Sequence, residues 1–152
     1  MATDVDFIDG FSHYATADIS TKWTANGNSG TISATGGSRG TGCARFTVSN
    51  MFFRKNLLAS SATHVMGARI KLSVAPPGAA LRIFTLIDAG TDQCYVQLNN
   101  DLSYSIFRVA IGTHVLVGGP ASGLPIDAWT YVEFKATIAN SIGAGTCKFA
   151  VN

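Results

Sequence analysis

The chain has 152 residues and a formal charge of +2 at neutral pH, and only 13% of its residues are charged, about half the share usual in globular proteins. That length fits one domain able to bury roughly 68–70% of its unfolded surface, so no disulfide or metal is needed to hold it together. Arg and Lys are scattered singly apart from Arg54-Lys55, which leaves no basic stripe to follow a phosphate backbone, and no apolar run approaches the ~20 residues that cross a bilayer. Neither nucleic-acid binding nor membrane insertion is expected.

At the start, Asp4 and Asp6 alternate with Val5 and Phe7. Residues 1–8 are therefore expected to act as an arm that offers Val5 and Phe7 as a small apolar edge to a neighbouring subunit, ahead of a single domain spanning 9–152. The run "DGFSHYATADISTKW", Asp9 to Trp23, is the chemically densest of the chain. Within it "ADISTKW" suits a brief helix with Asp18 in reach of the N-cap. Gly, Ser and Thr crowd 26–42, where Ile32 marks a short strand between glycine turns that lead into "CARFTV".

Period-two alternation dominates from there on. In "GARIKLSV" it sends Ala68, Ile70, Leu72 and Val74 to one face and Arg69, Lys71 and Ser73 to the other. "LRIFTLID" (81–88) is apolar on both parities and is expected to be a central strand, while "CYVQLN" (94–99) alternates cleanly. Asn99-Asn100-Asp101 links it to "LSYSIFRV" (102–109) by a connection short enough for an antiparallel hairpin. "THVLV" (113–117) follows Gly112. In "WTYVEFKATI" the residues Val132, Phe134, Ala136 and Ile138 point inward, and "TCKFAV" (146–151) closes the series with Cys147, Phe149 and Val151 inward. Strands recurring every ten or so residues with turn chemistry between them predict an all-β, two-sheet antiparallel sandwich or jelly roll.

The chemical motifs are sparse. Gly37 and Gly42 have the first spacing of a phosphate loop, but Cys43-Ala44 stand where Lys and Ser or Thr must hold phosphate and metal. Gly40-Thr41-Gly42 begins a dinucleotide fingerprint whose third glycine falls at Arg45. Glu133 is the one glutamate; glycoside hydrolysis would need a second carboxyl, from Asp88 or Asp92 across the sheet, and an outward surface glutamate is the simpler reading. His13, His64 and His114 are isolated, without the companions of a zinc site. Asp4, Asp6 and Asp9 are read as solvated rather than as calcium ligands. The three cysteines, Cys43, Cys94 and Cys147, lie about fifty residues apart and are read as reduced, small hydrophobes of a chain made in a reducing compartment. No cofactor, no metal and no catalytic residue is expected. Sugar-binding modules display flat rings, and Trp23, Tyr95, Tyr104 and Tyr131 are the candidates, with core packing as the plainer role for each.

Three stretches, "FIDGFSHYATADISTKWT", "GGSRGTGCARF" and "GLPIDAWTYVEFKATIANSIGAGTCKFAVN", resemble the laminin-G-like, concanavalin A-like jelly rolls of tailed-bacteriophage structural proteins. In that family a segment similar to Asp9, Gly10, Phe11, Ser12, His13 and Tyr14 opens the domain, and a Lys-Trp pair like Lys22-Trp23 follows. A Gly-rich turn then leads into a strand like Ala44 to Val48, and a Trp like Trp129 begins a long strand. The resemblance implies that Asp9, Gly10, Phe11, His13, Tyr14, Trp23 and Trp129 are structural, the opening stretch wrapping the sandwich end. The family continues past the position of Val151-Asn152 with a return strand and a final strand. Those C-terminal strands are therefore expected to be missing here, and the edge near Phe149 and Val151 is expected to recruit a strand from another subunit.

The function expected from this resemblance is that of a non-enzymatic structural protein of a tailed-phage virion: a capsid decoration, head fibre or tail appendage, made in the bacterial cytoplasm and carried on the virion surface. Its partners would be other virion proteins and further copies of itself. The alternative is a lectin-like carbohydrate-binding module that contacts host surface glycan through Tyr95, Tyr104 and Tyr131.

Overall fold

A computed structural model describes residues 15–27, 31–46, 52–56, 62–76, 80–110, 112–121, 123–139 and 145–152. The expected arm (1–8) and the opening motif from Asp9 to Tyr14 lie outside the described residues. The chain divides into two compact units, Met1–Ser60 and Ser61–Asn152.

In the first unit a 3₁₀ turn, Thr16–Asp18, runs into one helical turn, α1 (Ile19–Lys22), where the brief helix was expected. The Asp18 carboxylate accepts the Ala15 N–H at 3.2 Å, satisfying a backbone donor that the short helix leaves open, and Ile19 is buried. Two small antiparallel ribbons follow. β1 (Ala25–Gly27) pairs with β4 (Phe52–Arg54), and β2 (Thr31–Ser33) pairs with β3 (Cys43–Arg45). Ile32 thus sits in a short strand, and the glycine-rich link to β3 turns through Gly40 at φ +71°, a conformation that glycine adopts without strain. The Trp23 and Phe53 rings pack at 5.3 Å between centroids, and Phe46 joins Phe53 at 5.1 Å.

The second unit is a sandwich of two antiparallel sheets. One is three-stranded, in the order β11-β10-β5, from β5 (Thr63–Ile70), β10 (Thr130–Thr137) and β11 (Thr146–Val151). The other is four-stranded, in the order β6-β7-β8-β9, from β6 (Leu81–Asp88), β7 (Thr91–Leu98), β8 (Tyr104–Ala110) and β9 (Thr113–Ala121). The all-β, antiparallel sandwich expected from the strand series is the fold observed. β10 shows why: Val132, Phe134 and Ala136 are buried while Tyr131 and Lys135 are exposed, the alternation that a sheet covered on one face requires.

The core joins the two sheets. Phe134 of β10 stacks on Phe84 of β6 at 6.3 Å, and Phe149 of β11 meets Phe84 edge-on at 6.4 Å and Tyr104 at 4.6 Å. Leu98, Val132 and Leu124, the last from the connection between β9 and β10, form a second buried group. Cys147, Phe149 and Val151 face inward as expected.

Three expectations need correction. Among the described residues "LRIFTLID" is not a central strand: β6 forms a margin of its sheet, with Leu81 and Ile87 exposed. Its apolar residues on both parities follow from bulges between Arg82 and Phe84 and between Leu86 and Ile87, which let Ile83, Phe84 and Leu86 all reach the core. Val74 and Ile138, expected inward, are exposed because β5 ends at Ile70 and β10 at Thr137.

Candidate functional site

The predicted β7–β8 hairpin forms. Asn99 N–H donates to the Ser103 carbonyl at 2.8 Å and Leu102 N–H to the Asn99 carbonyl at 3.0 Å, with Leu102 at φ +68°. Asp101 caps the turn, accepting the Ser103 hydroxyl at 2.6 Å and the Ser103 N–H at 2.9 Å. These bonds, the hydroxyl first, hold its carboxyl below the usual carboxylate range. The Asn99 amide donates to Ser103 Oγ and Ser105 Oγ and accepts from Gln97 Nε2. Beside this network, Ala80, Asn99, Asn100 and Asp101 line a shallow, open depression of about 360 Å³.

Along the face of the four-stranded sheet that turns away from the core, the strand register brings side chains of all four strands into one layer. Tyr95 of β7 stacks on Phe107 of β8 at 5.0 Å. The Arg82 guanidinium of β6 lies 4.2 Å over the Tyr95 ring and forms an ion pair with Asp92. Tyr95 Oη shares a hydrogen bond of 3.0 Å with His114 Nδ1 of β9, whose ring meets it edge-on. Tyr95 is consequently 4% exposed although it points off the core face. Its chemistry is satisfied inside the layer.

The three candidate tyrosines therefore do not share a surface. Tyr95 is enclosed by Arg82, Phe107 and His114, and the Tyr104 ring packs in the core against Phe149, the plainer role for both rings and not the exposed one a glycan contact needs. Tyr131 is 38% exposed on the outer face of the other sheet and donates to Glu133 Oε2 at 3.3 Å. Glu133 shares that outer face, whereas Asp88 and Asp92 belong to the four-stranded sheet, Asp92 in its ion pair. Trp23 and Trp129 are half-buried, Trp23 on Phe53 and Trp129 immediately before β10. Val5 and Phe7 lie outside the described residues, as do Asp9, Gly10, Phe11, His13 and Tyr14. Among the described residues no group of three or more His, Cys, Asp or Glu side chains is placed to hold a metal ion, and no helix is long and apolar enough to cross a membrane.

The sheet margins are the other feature with functional content. Among the described residues β11 pairs only with β10, so its outer backbone groups are open, and Phe149 and Val151 stand along it, half-buried. β9 is likewise paired on one side only, by β8. Its sequence, THVLVGGPA, contains no Asp, Glu, Lys or Arg, and Leu116 and Val117 are 49% and 47% exposed. Edge strands are blunted by charge, proline or bulges; β9 has no charge, and its Pro120 and its bulges against β8 fall in its C-terminal half, which leaves residues 113–116 as plain edge. Sequence reasoning placed "THVLV" as a strand, but its marginal position became visible only through the strand order.

No protein-family model, no curated protein and no solved structure matches the chain.

Proposed function

We propose that the chain is a non-enzymatic structural protein of a tailed-phage virion, a capsid decoration, head fibre or tail appendage subunit, that works by associating through its sheet margins. The phage assignment is supported by the sequence resemblance. The mode of action is supported by one observation, the uncharged β9 edge, which no described strand pairs on its outer side and along which Leu116 and Val117 are exposed. Such an edge favours addition of a strand, because unpaired N–H and C=O groups and bare apolar side chains are both satisfied by it. A second copy of the chain, docking β9 against β9 about a two-fold axis, supplies the same edge in complementary orientation.

The test has two arms. Quantitative mass spectrometry of purified virions should find the chain in stoichiometric amount with the structural proteins; absence there despite expression during infection overturns the virion assignment. Size-exclusion chromatography with light scattering should show an oligomer for the unaltered chain and a monomer for the Leu116→Lys, Val117→Lys double variant, with unchanged circular dichroism. An unaltered chain that stays monomeric at high concentration overturns the edge mechanism.

A further inference from the structure

Cys94 and Cys147 are 53 positions apart in sequence by their numbering, yet the sandwich brings both into one core group from its two opposite sheets. Cys94 of β7 is buried in the core, and Cys147 of β11, half-buried, packs against the same group. Each thiol shifts the ionisation of the other, so the two lie close together within that group. Arg108 is the direct neighbour of Cys94 in the register of β7 and β8, so it also faces the core. Its Nε is buried without a hydrogen-bond partner. A guanidinium keeps its charge in any such setting, and an unpartnered donor there is costly unless an anion forms beside it. All cysteines are free thiols.

From this arrangement we infer that Cys94 and Cys147 form a redox-responsive pair, which a low-molecular-weight disulfide such as oxidised glutathione converts into an inter-sheet disulfide, with Arg108 supporting the attacking thiolate. Ionisation follows the same division of roles. The neighbouring Cys94 thiol, and then the positive Arg108, lower the Cys147 thiol to about 7 against the opposing effect of burial. Cys94 is raised, by the neighbouring Cys147 and by burial, and keeps its proton. Cys147, half-buried where Cys94 is buried, is the thiol that a soluble disulfide reaches first and is the nucleophile, with Cys94 the resolving thiol.

The steps balance. The Cys147 thiolate attacks one sulfur of glutathione disulfide, forming a mixed disulfide and releasing one glutathione thiolate, which takes up a proton. Cys94 then loses its proton to that pool and attacks Cys147 Sγ, expelling the second glutathione. Two protein thiols are oxidised by two electrons, and one disulfide is reduced to two thiols. The product ties the marginal strand β11 to β7 of the opposite sheet, so a chain folded under reducing conditions gains a covalent clamp on entering an oxidising medium.

The experiment uses the full chain carrying Cys43→Ser, which removes the third thiol and with it scrambling. After exposure to oxidised glutathione, non-reducing trypsin digestion should yield residues 83–108 linked to residues 136–148, a product lost on treatment with dithiothreitol. The oxidised protein should melt roughly 5 to 10 °C higher than the reduced one, from the closed loop between the two cysteines. Arg108→Met should slow cross-linking several-fold at neutral pH without preventing it. Cys147→Ala, placed at a half-buried position, should abolish the product in a chain whose circular dichroism is unchanged. A folded chain that yields only a glutathione adduct, or none, overturns the pairing. An Arg108→Met rate equal to that of the unaltered chain overturns the role of the guanidinium.

Discussion

Replacing Gly123 by alanine should destabilise the Ser61–Asn152 unit by about 1–3 kcal/mol, although Gly123 is itself exposed. A Cβ at this position would overlap the Leu102 carbonyl and stand 2.8 Å from the Ser103 nitrogen. Both obstacles are backbone, so no rotamer change relieves them. Leu102 already holds φ +68° in the tight β7–β8 turn and has little freedom to rotate its peptide away. Relief must come from the segment that carries Leu124, whose N–H donates to that same Leu102 carbonyl at 3.1 Å and whose side chain, 2% exposed, fills the core beside Leu98 and Val132. Losing the backbone bond costs about 1 kcal/mol. Withdrawing Leu124 part of the way forfeits about half of the 2–5 kcal/mol typical of a buried Leu→Ala change. The reduced entropy of the unfolded chain returns about 0.4–1 kcal/mol. Urea unfolding should show a lower midpoint at constant slope. The double variant with Leu124→Ala should lose less than the sum of the single losses, because both act through one side chain. A loss below about 0.5 kcal/mol, or strict additivity, would refute the argument.

Neighbouring positions of β10 should behave oppositely: Phe134→Ala should cost about 3–5 kcal/mol in the same assay and Lys135→Ala less than about 0.5 kcal/mol, and similar losses would contradict the sandwich. Tyr95→Phe should cost about 1 kcal/mol by removing the hydrogen bond to His114, with His114→Ala in the same background adding little; two full and independent losses would show that the pair does not act together. Stability in the presence of a reductant should depend on pH through the thiol pair. Cys147 in the folded chain releases its proton near 7, below the ordinary thiol value of 9.0, so between those values the unfolded chain binds more protons and stability rises with pH. That contribution is lost as pH falls through 7. Above 9.0 the raised Cys94 reverses the slope, because only the unfolded chain then releases that proton. Urea midpoints followed across this range should show the rise, and it should flatten in Arg108→Met; a flat profile in the unaltered chain would count against the thiolate.

Local alternation carried most of the fold. In a sheet covered on one face, side-chain direction has a period of two, so Val132, Phe134 and Ala136, or Cys147, Phe149 and Val151, declare their face without reference to any other strand. Turn chemistry is equally local, and the Asn99-Asn100-Asp101 hairpin and the glycine turn that follows Ile32 were legible for that reason. Strand order is not a local property. "LRIFTLID" looks central because bulges, themselves a product of pairing with β7, turn consecutive apolar residues toward one core. Tyr95 has the outward parity that its alternation indicates, yet it is buried by Arg82, Phe107 and His114, which come from three other strands. "LSYSIFRV" offers apolar residues on both parities, and only packing against the three-stranded sheet turned Tyr104, Ile106 and Arg108 inward. That choice buried the Nε of Arg108 in the core that holds both thiols. Composition and spacing placed Cys94 and Cys147 separately on apolar faces; their meeting, and the charge next to them, depend on how two sheets register face to face, which no window of the sequence contains.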